Sequence, residues 1–382
     1  MNEIYFDNSA TTKQLKSVTD VMAYTADVYY ANPSSLHSLG YEAEKELRRN
    51  RQIFADVLNC DEKEIVFTSG GSESNNLAII GYLRANPRKG DHVLLTETEH
   101  PSVLECAKYL SENGYEVEYI PVDKRGIPDL DWVFEKVNDK TALVSVHHVN
   151  SETGSLLPIK ELCDIVKRKN KDAVFHTDCV QSFGKIKVDC KEFRCDLLSV
   201  SGHKIGGPRG IGALYVKKGI RLEPVIFGGG QEGGLRSGTE NLPAIAGFAQ
   251  AAKVAYENID ENYSKVKEIR DFIATSLKEE KRVRIVSDTD NSSPYILNVS
   301  FEGLRGEVLL HSLEYRGVYV SVGSACSTRR KNRSHVLTAM GVTNNVIDGA
   351  IRLSFCPSNT IEEAKEAIKI IKEETKTLSK TR

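Results

Sequence analysis

The stretch Ser201-Gly-His-Lys204-Ile-Gly-Gly-Pro-Arg-Gly210 sets a lysine among glycines, where a bulky planar ligand can approach the backbone. A lysine held there, with its neutral amine favoured by burial and neighbouring groups, can form a Schiff base with an aldehyde. Most lysines are surface charges, so Lys204 gains meaning only from what accompanies it. Gly70-Gly71-Ser72 offers backbone N–H groups and a hydroxyl to an anion at the start of a helical run. Glu99-His100-Pro101, Asn150-Ser151-Glu152 and Asp178 with Gln181 add an imidazole, amides, hydroxyls and a carboxylate. Each has an ordinary reading as well: glycines turn the chain, and a lone aspartate after a strand commonly caps a helix.

Cys326 lies in Ser321-Val-Gly-Ser-Ala-Cys-Ser-Thr328, followed by Arg329-Arg-Lys-Asn-Arg333. A buried structural cysteine expects bulky apolar neighbours; this one has small ones, which suits a loop that carries a thiol between a ligand and an outside acceptor. The other seven cysteines form no CxxC pair and no zinc-type spacing. They read as free thiols. No histidine has a partner at metal-ligand spacing, so no metal site is expected.

Short β-rich runs alternate with helical patterns between about residues 60 and 216. Expected strands are 64–68, 92–96, 115–120, 143–148, 173–177 and 196–200, with helices over about 72–84, 101–112 and 159–169. This alternation argues for an α/β fold with a mostly parallel sheet flanked by helices. In such a sheet ligands bind beyond the carboxyl ends of the strands, where Gly70 to Ser72, His100, Asn150 to Glu152, Asp178, Gln181 and Lys204 fall. A helical stretch over about 241–277 leads into a smaller α+β region, with strands at 296–301, 318–321 and 351–354, a helix at 306–315 and a terminal helix from about 360 to 376. The expected division is a large domain, 15–255, and a small domain made of 1–14 and 256–382.

The chain has 382 residues, 27% of them charged, and a formal net charge of −2. No basic surplus points to nucleic acid or an anionic membrane, and no apolar run is long enough to span a bilayer. The first residues lack the basic and apolar regions of a signal peptide, so a cytoplasmic location is expected.

The segments Phe67-Thr-Ser-Gly-Gly-Ser-Glu-Ser-Asn-Asn-Leu77, Glu99-His100, Val149-Asn-Ser-Glu-Thr-Gly154, His176-Thr-Asp-Cys-Val-Gln181, Ser201-Gly-His-Lys204, Arg236-Ser-Gly-Thr-Glu-Asn241 and Ser324-Ala-Cys-Ser327 resemble the cysteine desulfurases of the NifS/IscS type. These are class V, fold-type I pyridoxal 5'-phosphate enzymes, which implies a large domain with a mostly parallel seven-stranded sheet and a smaller α+β domain, and the likeness runs from Tyr5 to Ser354. It implies that Lys204 anchors the cofactor, Asp178 bonds the pyridine nitrogen and His100 lies on one ring face. Gln181 would meet the phenolic oxygen, with Asn150 or Ser151 beside it, and Gly71, Ser72, Ser201 and His203 would hold the phosphate. Thr239 would reach in from a second subunit of a homodimer. Asn32 and Arg352 would clamp the carboxylate of L-cysteine. Lys204 would take the Cα proton, and the Cys326 thiolate would attack the substrate sulfur. Alanine would leave, and a persulfide would pass to an acceptor protein for iron–sulfur cluster assembly or tRNA thiolation.

Several positions depart from the usual pattern. Gly71-Ser72 replaces Ala-Thr, Asn150-Ser151 replaces a pair of asparagines, Gly233 replaces an arginine, and Cys179 replaces an alanine expected against the ring face opposite His100. A selenocysteine lyase and an idle sulfur-carrier or scaffold partner of the same fold are the alternatives. Retention of both Lys204 and Cys326 argues against the idle partner.

Overall fold

The computed structural model describes residues 3–323 and 333–380. A short strand β1 (Ile4–Tyr5) precedes a seven-stranded sheet made of β2 (Ile65–Thr68), β3 (His92–Thr96), β4 (Glu116–Ile120), β5 (Thr141–Ser145), β6 (Val174–Asp178), β7 (Leu197–Ser201) and β8 (Gly212–Val216). Their order is β2-β8-β7-β6-β5-β3-β4; β8 runs antiparallel to both neighbours, and the remaining pairings are parallel. The expected α/β architecture is present. The strand β8 was not foreseen at residues 212–216; it runs antiparallel and separates β2 from the four strands whose ends β2 joins at the site.

Strands β2, β3, β5, β6, β7 and β8 are buried along their whole length, as expected when both sheet faces are covered. Alternate residues feed two cores. Leu94, Val144, Phe175 and Leu198 pack with Phe54 and Phe248 of the helices Ser38–Leu58 and Leu242–Glu257. Val93, Leu143, Val174 and Leu197 pack with Leu77, Val103 and Leu110 on the other face. Each such side chain contributes about 1.5–3 kcal/mol by leaving water. Polar side chains inside the sheet pair with each other: His176 bonds Ser145 Oγ at 2.8 Å and Ser199 Oγ at 3.0 Å.

A third core joins the beginning and the end of the chain. β9 (Val283–Ile285), β10 (Ile296–Phe301) and β12 (Ala350–Ser354) form an antiparallel sheet, and β1 pairs with β11 (Val318–Tyr319). Ile4 and Phe6 pack there with Leu297, Leu353 and Ile371. The helical stretch expected over 241–277 is two helices, Leu242–Glu257 and Ile259–Lys278, broken at Asn258, whose φ of −123° is not helical. The strand expected to reach His148 stops at Ser145, because the backbone turns there into the loop that lines the site. Among the described residues no helix is long and apolar enough to cross a membrane.

β2 is an edge strand, and an edge leaves backbone groups without ladder partners. Here side chains take them. Arg51 donates to the Ile65 carbonyl at 2.6 Å, and Glu232 accepts from the Phe67 N–H at 2.9 Å. The two side chains are themselves joined by paired bonds of 2.7 Å, with the Glu232 carboxylate 2% exposed. Removing one partner of such a pair strands a buried charge. Glu232→Ala should therefore cost about 3–5 kcal/mol of stability, read as a lowered denaturant midpoint; a loss under about 1 kcal/mol would show the edge is held by packing alone.

Candidate active site

A cavity of about 220 Å³ opens at the carboxyl ends of β2, β3, β5, β6 and β7. Gly71 and Ser72 reach it from the start of the helix after β2, His100 and Ser102 from the loop and helix after β3, and Asn150 and Ser151 from the loop after β5. Asp178 and Gln181 follow β6, and Ser201, His203 and Lys204 follow β7. The sequence-derived groups from all five strand ends thus share one space.

Gly70 precedes the first helical residue with φ 155° and ψ 179°, a conformation only glycine adopts readily. A Cβ on Gly71 would stand 2.6 Å from Val180 Cγ2, so glycine is what lets these two strand ends approach. The helical stretch from Gly71 to Ala85 passes through a π-turn at Leu77–Gly81, a feature common near functional sites.

Asp178 is 6% exposed. Its two oxygens accept from Asn75 Nδ2 at 2.7 Å and from the Val180 N–H at 2.9 Å, which fixes the carboxylate. His100 caps the helix Pro101–Glu112: its Nδ1 accepts the Ser102 N–H at 3.1 Å, leaving Nε2 as the nitrogen not engaged by the cap. Burial lowers its pKa below the ordinary imidazole value, with Asp178 pulling against that and Lys204 adding to it. His203 is lowered to about 4 by burial, then by Lys204 and Arg209. Its Nδ1 meets Thr11 Oγ1 at 3.2 Å. Lys204 Nζ donates to the carbonyls of Ser9 at 2.6 Å and Ala10 at 2.8 Å, so the N-terminal segment forms part of the site.

A model of the class-V aminotransferase family matches residues 4–366. The chain belongs to the class-V aminotransferase family. It is 40% identical over 367 residues to a protein named cysteine desulfurase IscS 1 from Archaeoglobus fulgidus, covering 96% of this chain and 95% of that one. A solved structure of a NifS-like protein superposes with a TM-score of 0.92 at 38% identity, covering 97% of this chain and 99% of the other. A structure described as SspA in complex with cysteine gives 0.83 at 34% identity, covering 94% and 100%.

In this class-V aminotransferase some expected residues lie outside the lining. Asn32 is exposed, its side chain bonded to the Ser34 N–H. Thr239 is exposed as well. Arg352 pairs with Asp7 at 2.9 Å and with the Ser151 carbonyl at 3.0 Å, adjoining the cavity through that loop. Asn150 lines the cavity, but its oxygen accepts from the N–H groups of Glu152 and Thr153 and its nitrogen faces the Thr98 carbonyl. Cys179 is fully buried in the core and is not among the lining residues; Val180 is. Burial raises the Cys179 thiol well above its ordinary value. The expectation that Cys179 faces the cavity is thus corrected: the side chain after Asp178 turns inward. Cys326 falls outside the described residues.

Sequence reasoning missed Asn75, Thr98 and His147, which also line the cavity. Asn75 had a signal, since two adjacent asparagines one turn into a helix are poor helix formers. Thr98 Oγ1 and Asn75 Oδ1 are buried without a hydrogen-bond partner, which suits a cavity built for a polar ligand. Among the described residues there is no cluster able to hold a metal ion.

His176 is also lowered by burial, to about 4. The unfolded chain would bind protons at His176 and His203 as pH falls from about 6.5 to 4 while the folded chain does not. Their contribution to stability is therefore constant above 6.5 and falls with acid across that window. His176→Gln, which can still bond both serines, should flatten the decline in unfolding midpoint between those pH values; an unchanged slope would clear His176 of any part in it.

Proposed function

We propose that this class-V aminotransferase is a pyridoxal 5'-phosphate-dependent cysteine desulfurase that passes the sulfur of L-cysteine to Cys326 and releases L-alanine. The observation that carries the reading is a lysine amine and a fixed, buried carboxylate in one cavity with a glycine-lined helix start. The residues present suit the cofactor: the close approach of Gly71 to Val180 leaves no room for a larger side chain, and unpartnered polar atoms at Thr98 and Asn75 await a polar ligand. Bound there, the cofactor supplies an electron-accepting ring that weakens the Cα–H bond of an amino acid.

The chain's own groups then divide the work. Asp178, held by Asn75 and the Val180 N–H, would stabilise a protonated ring nitrogen, since a fixed carboxylate favours a nearby cation. Gly71, Ser72, Ser201 and neutral His203 give hydrogen bonds to a phosphate. His100 stays neutral near pH 7 and can hold or release a proton at Nε2. Lys204, once released from the Ser9 and Ala10 carbonyls, can serve as the base for the Cα proton. Arg352 offers a guanidinium beside Ser151, bonded through one nitrogen to Asp7 and through another to the Ser151 carbonyl, with its Nε unpartnered.

The described ends of the stretch that contains Cys326 support its role. Ser334 Oγ donates to Glu152 Oε2 at 2.5 Å, and a Cβ on Gly323 would stand 2.5 Å from the same oxygen. Glu152 belongs to the loop after β5, so Gly323 and Ser334 lie beside the loop that lines the cavity. A second copy of the chain would complete the site, bringing Thr239 to it. The segment with Asn32 exposes Tyr30 and Leu36, apolar area that a homodimer would cover. An acceptor protein would draw the sulfur onward, to iron–sulfur clusters or tRNA, from a cytoplasmic enzyme.

Lys204→Ala should abolish both the visible absorption of the cofactor-loaded protein and alanine release; a retained spectrum with normal turnover would refute the anchor. Cys326→Ala should keep the spectrum and lose at least about a hundredfold in alanine formed from cysteine, the scale of losing a covalent nucleophile. Mass spectrometry of the wild type after cysteine treatment should find one added sulfur on Cys326, and an unmodified Cys326 in an active protein would end the persulfide route.

A further inference from the structure

One buried cation beside the cavity has no part in the chemistry above. Lys185 is 4% exposed and lies four residues past Gln181. Its Nζ donates to Gln181 Oε1 at 3.0 Å and stands 5.8 Å from the centre of the Tyr295 ring. At the other end of the same amide, Gln181 Nε2 donates to the Ser9 carbonyl at 2.9 Å. A backbone carbonyl only accepts, so it demands the nitrogen; the amine donates, so it takes the oxygen. Both contacts set the amide the same way round. Its oxygen is drawn towards Lys185, and its second N–H is left unspent on the side chain that lines the cavity.

We propose that Lys185 is a positioning residue: by engaging the carbonyl of Gln181 it holds that amide as a hydrogen-bond donor to the cavity, selecting a ligand with an oxygen acceptor at that point. The inference rests on the pyridoxal phosphate reading, in which the ring hydroxyl is that oxygen. An amine serving only to fill space would be replaced by an apolar side chain at lower desolvation cost. Burial, then the like charge of Lys204, lower the pKa of Lys185 to about 7, with the Cys356 thiol pulling against them and Arg352 adding to the push. The role holds on either side of that value, because the amine and the ammonium both carry N–H groups.

The test compares full-length wild type, Lys185→Met, Lys185→Gln, Gln181→Ala and the double variant Lys185→Met/Gln181→Ala, each stripped of cofactor. Each is titrated with pyridoxal phosphate and with 3-deoxypyridoxal phosphate, and dissociation constants are read by absorbance. Wild type should prefer the hydroxylated ligand. That preference should shrink about tenfold in Lys185→Met, the scale of one hydrogen bond. It should return in Lys185→Gln, whose amide can still donate, and fall no further in the double variant than in Gln181→Ala. An equal loss for both ligands, or an unchanged preference, overturns the proposal by making Lys185 a packing residue. Should Lys185→Met fail to fold, a full preference in Gln181→Ala overturns it as well. A wild type that binds neither ligand instead refutes the cofactor reading, and this inference falls with it.

Discussion

The carboxylate of Asp178 is the constraint around which the site is arranged. A charge with so little solvent must be met by hydrogen bonds, and its partners come from different parts of the chain. The Val180 N–H belongs to its own turn, whereas Asn75 belongs to the helix after β2. Asn75 reaches on to Ser102 Oγ at 2.9 Å, in the helix after β3. One acidic group thereby sets the relative positions of three strand ends. Moving the helix after β2 would leave the carboxylate short of a partner, and moving the helix after β3 would cost Asn75 its bond to Ser102.

The charge balance of the cavity follows from burial. Lys204 and Arg352 lie close enough to influence Lys185, while Asp178, Asp7, Glu99 and Glu152 are carboxylates hydrogen-bonded at or next to the cavity. His100 and His203 add no positive charge near neutrality, because desolvation holds both imidazoles neutral. They act as hydrogen-bonding groups, and the lysines and Arg352 supply the field.

Much of this was legible in the sequence because its signals are local. The helices at 101–112, 159–169 and 306–315 occur with the expected bounds, since each has a clear apolar face and a flanking breaker. The groups at the strand ends were legible for the same reason: a strand followed by glycine, histidine or aspartate is a short-range pattern. What escaped depends on distant partners. The place of β8 is decided by ladders on both of its sides, the engagement of Arg352 by Asp7, and the inward turn of Cys179 by the core beneath it. The carbonyls of Ser9 and Ala10 could not have been read at all, because every residue has a carbonyl and only the fold decides which ones meet Lys204.

That contact also bears on how the molecule comes into being. Ser9 and Lys204 are 195 residues apart, and the Asn8 side chain meets the Ser354 carbonyl across 346. A nascent chain emerging amino-terminus first must hold its opening strand unpaired until almost the last strand has left the ribosome. Contacts of such long sequence separation form slowly. The seven-stranded sheet can therefore mature during translation, while Lys204 waits for the first dozen residues to return and dock.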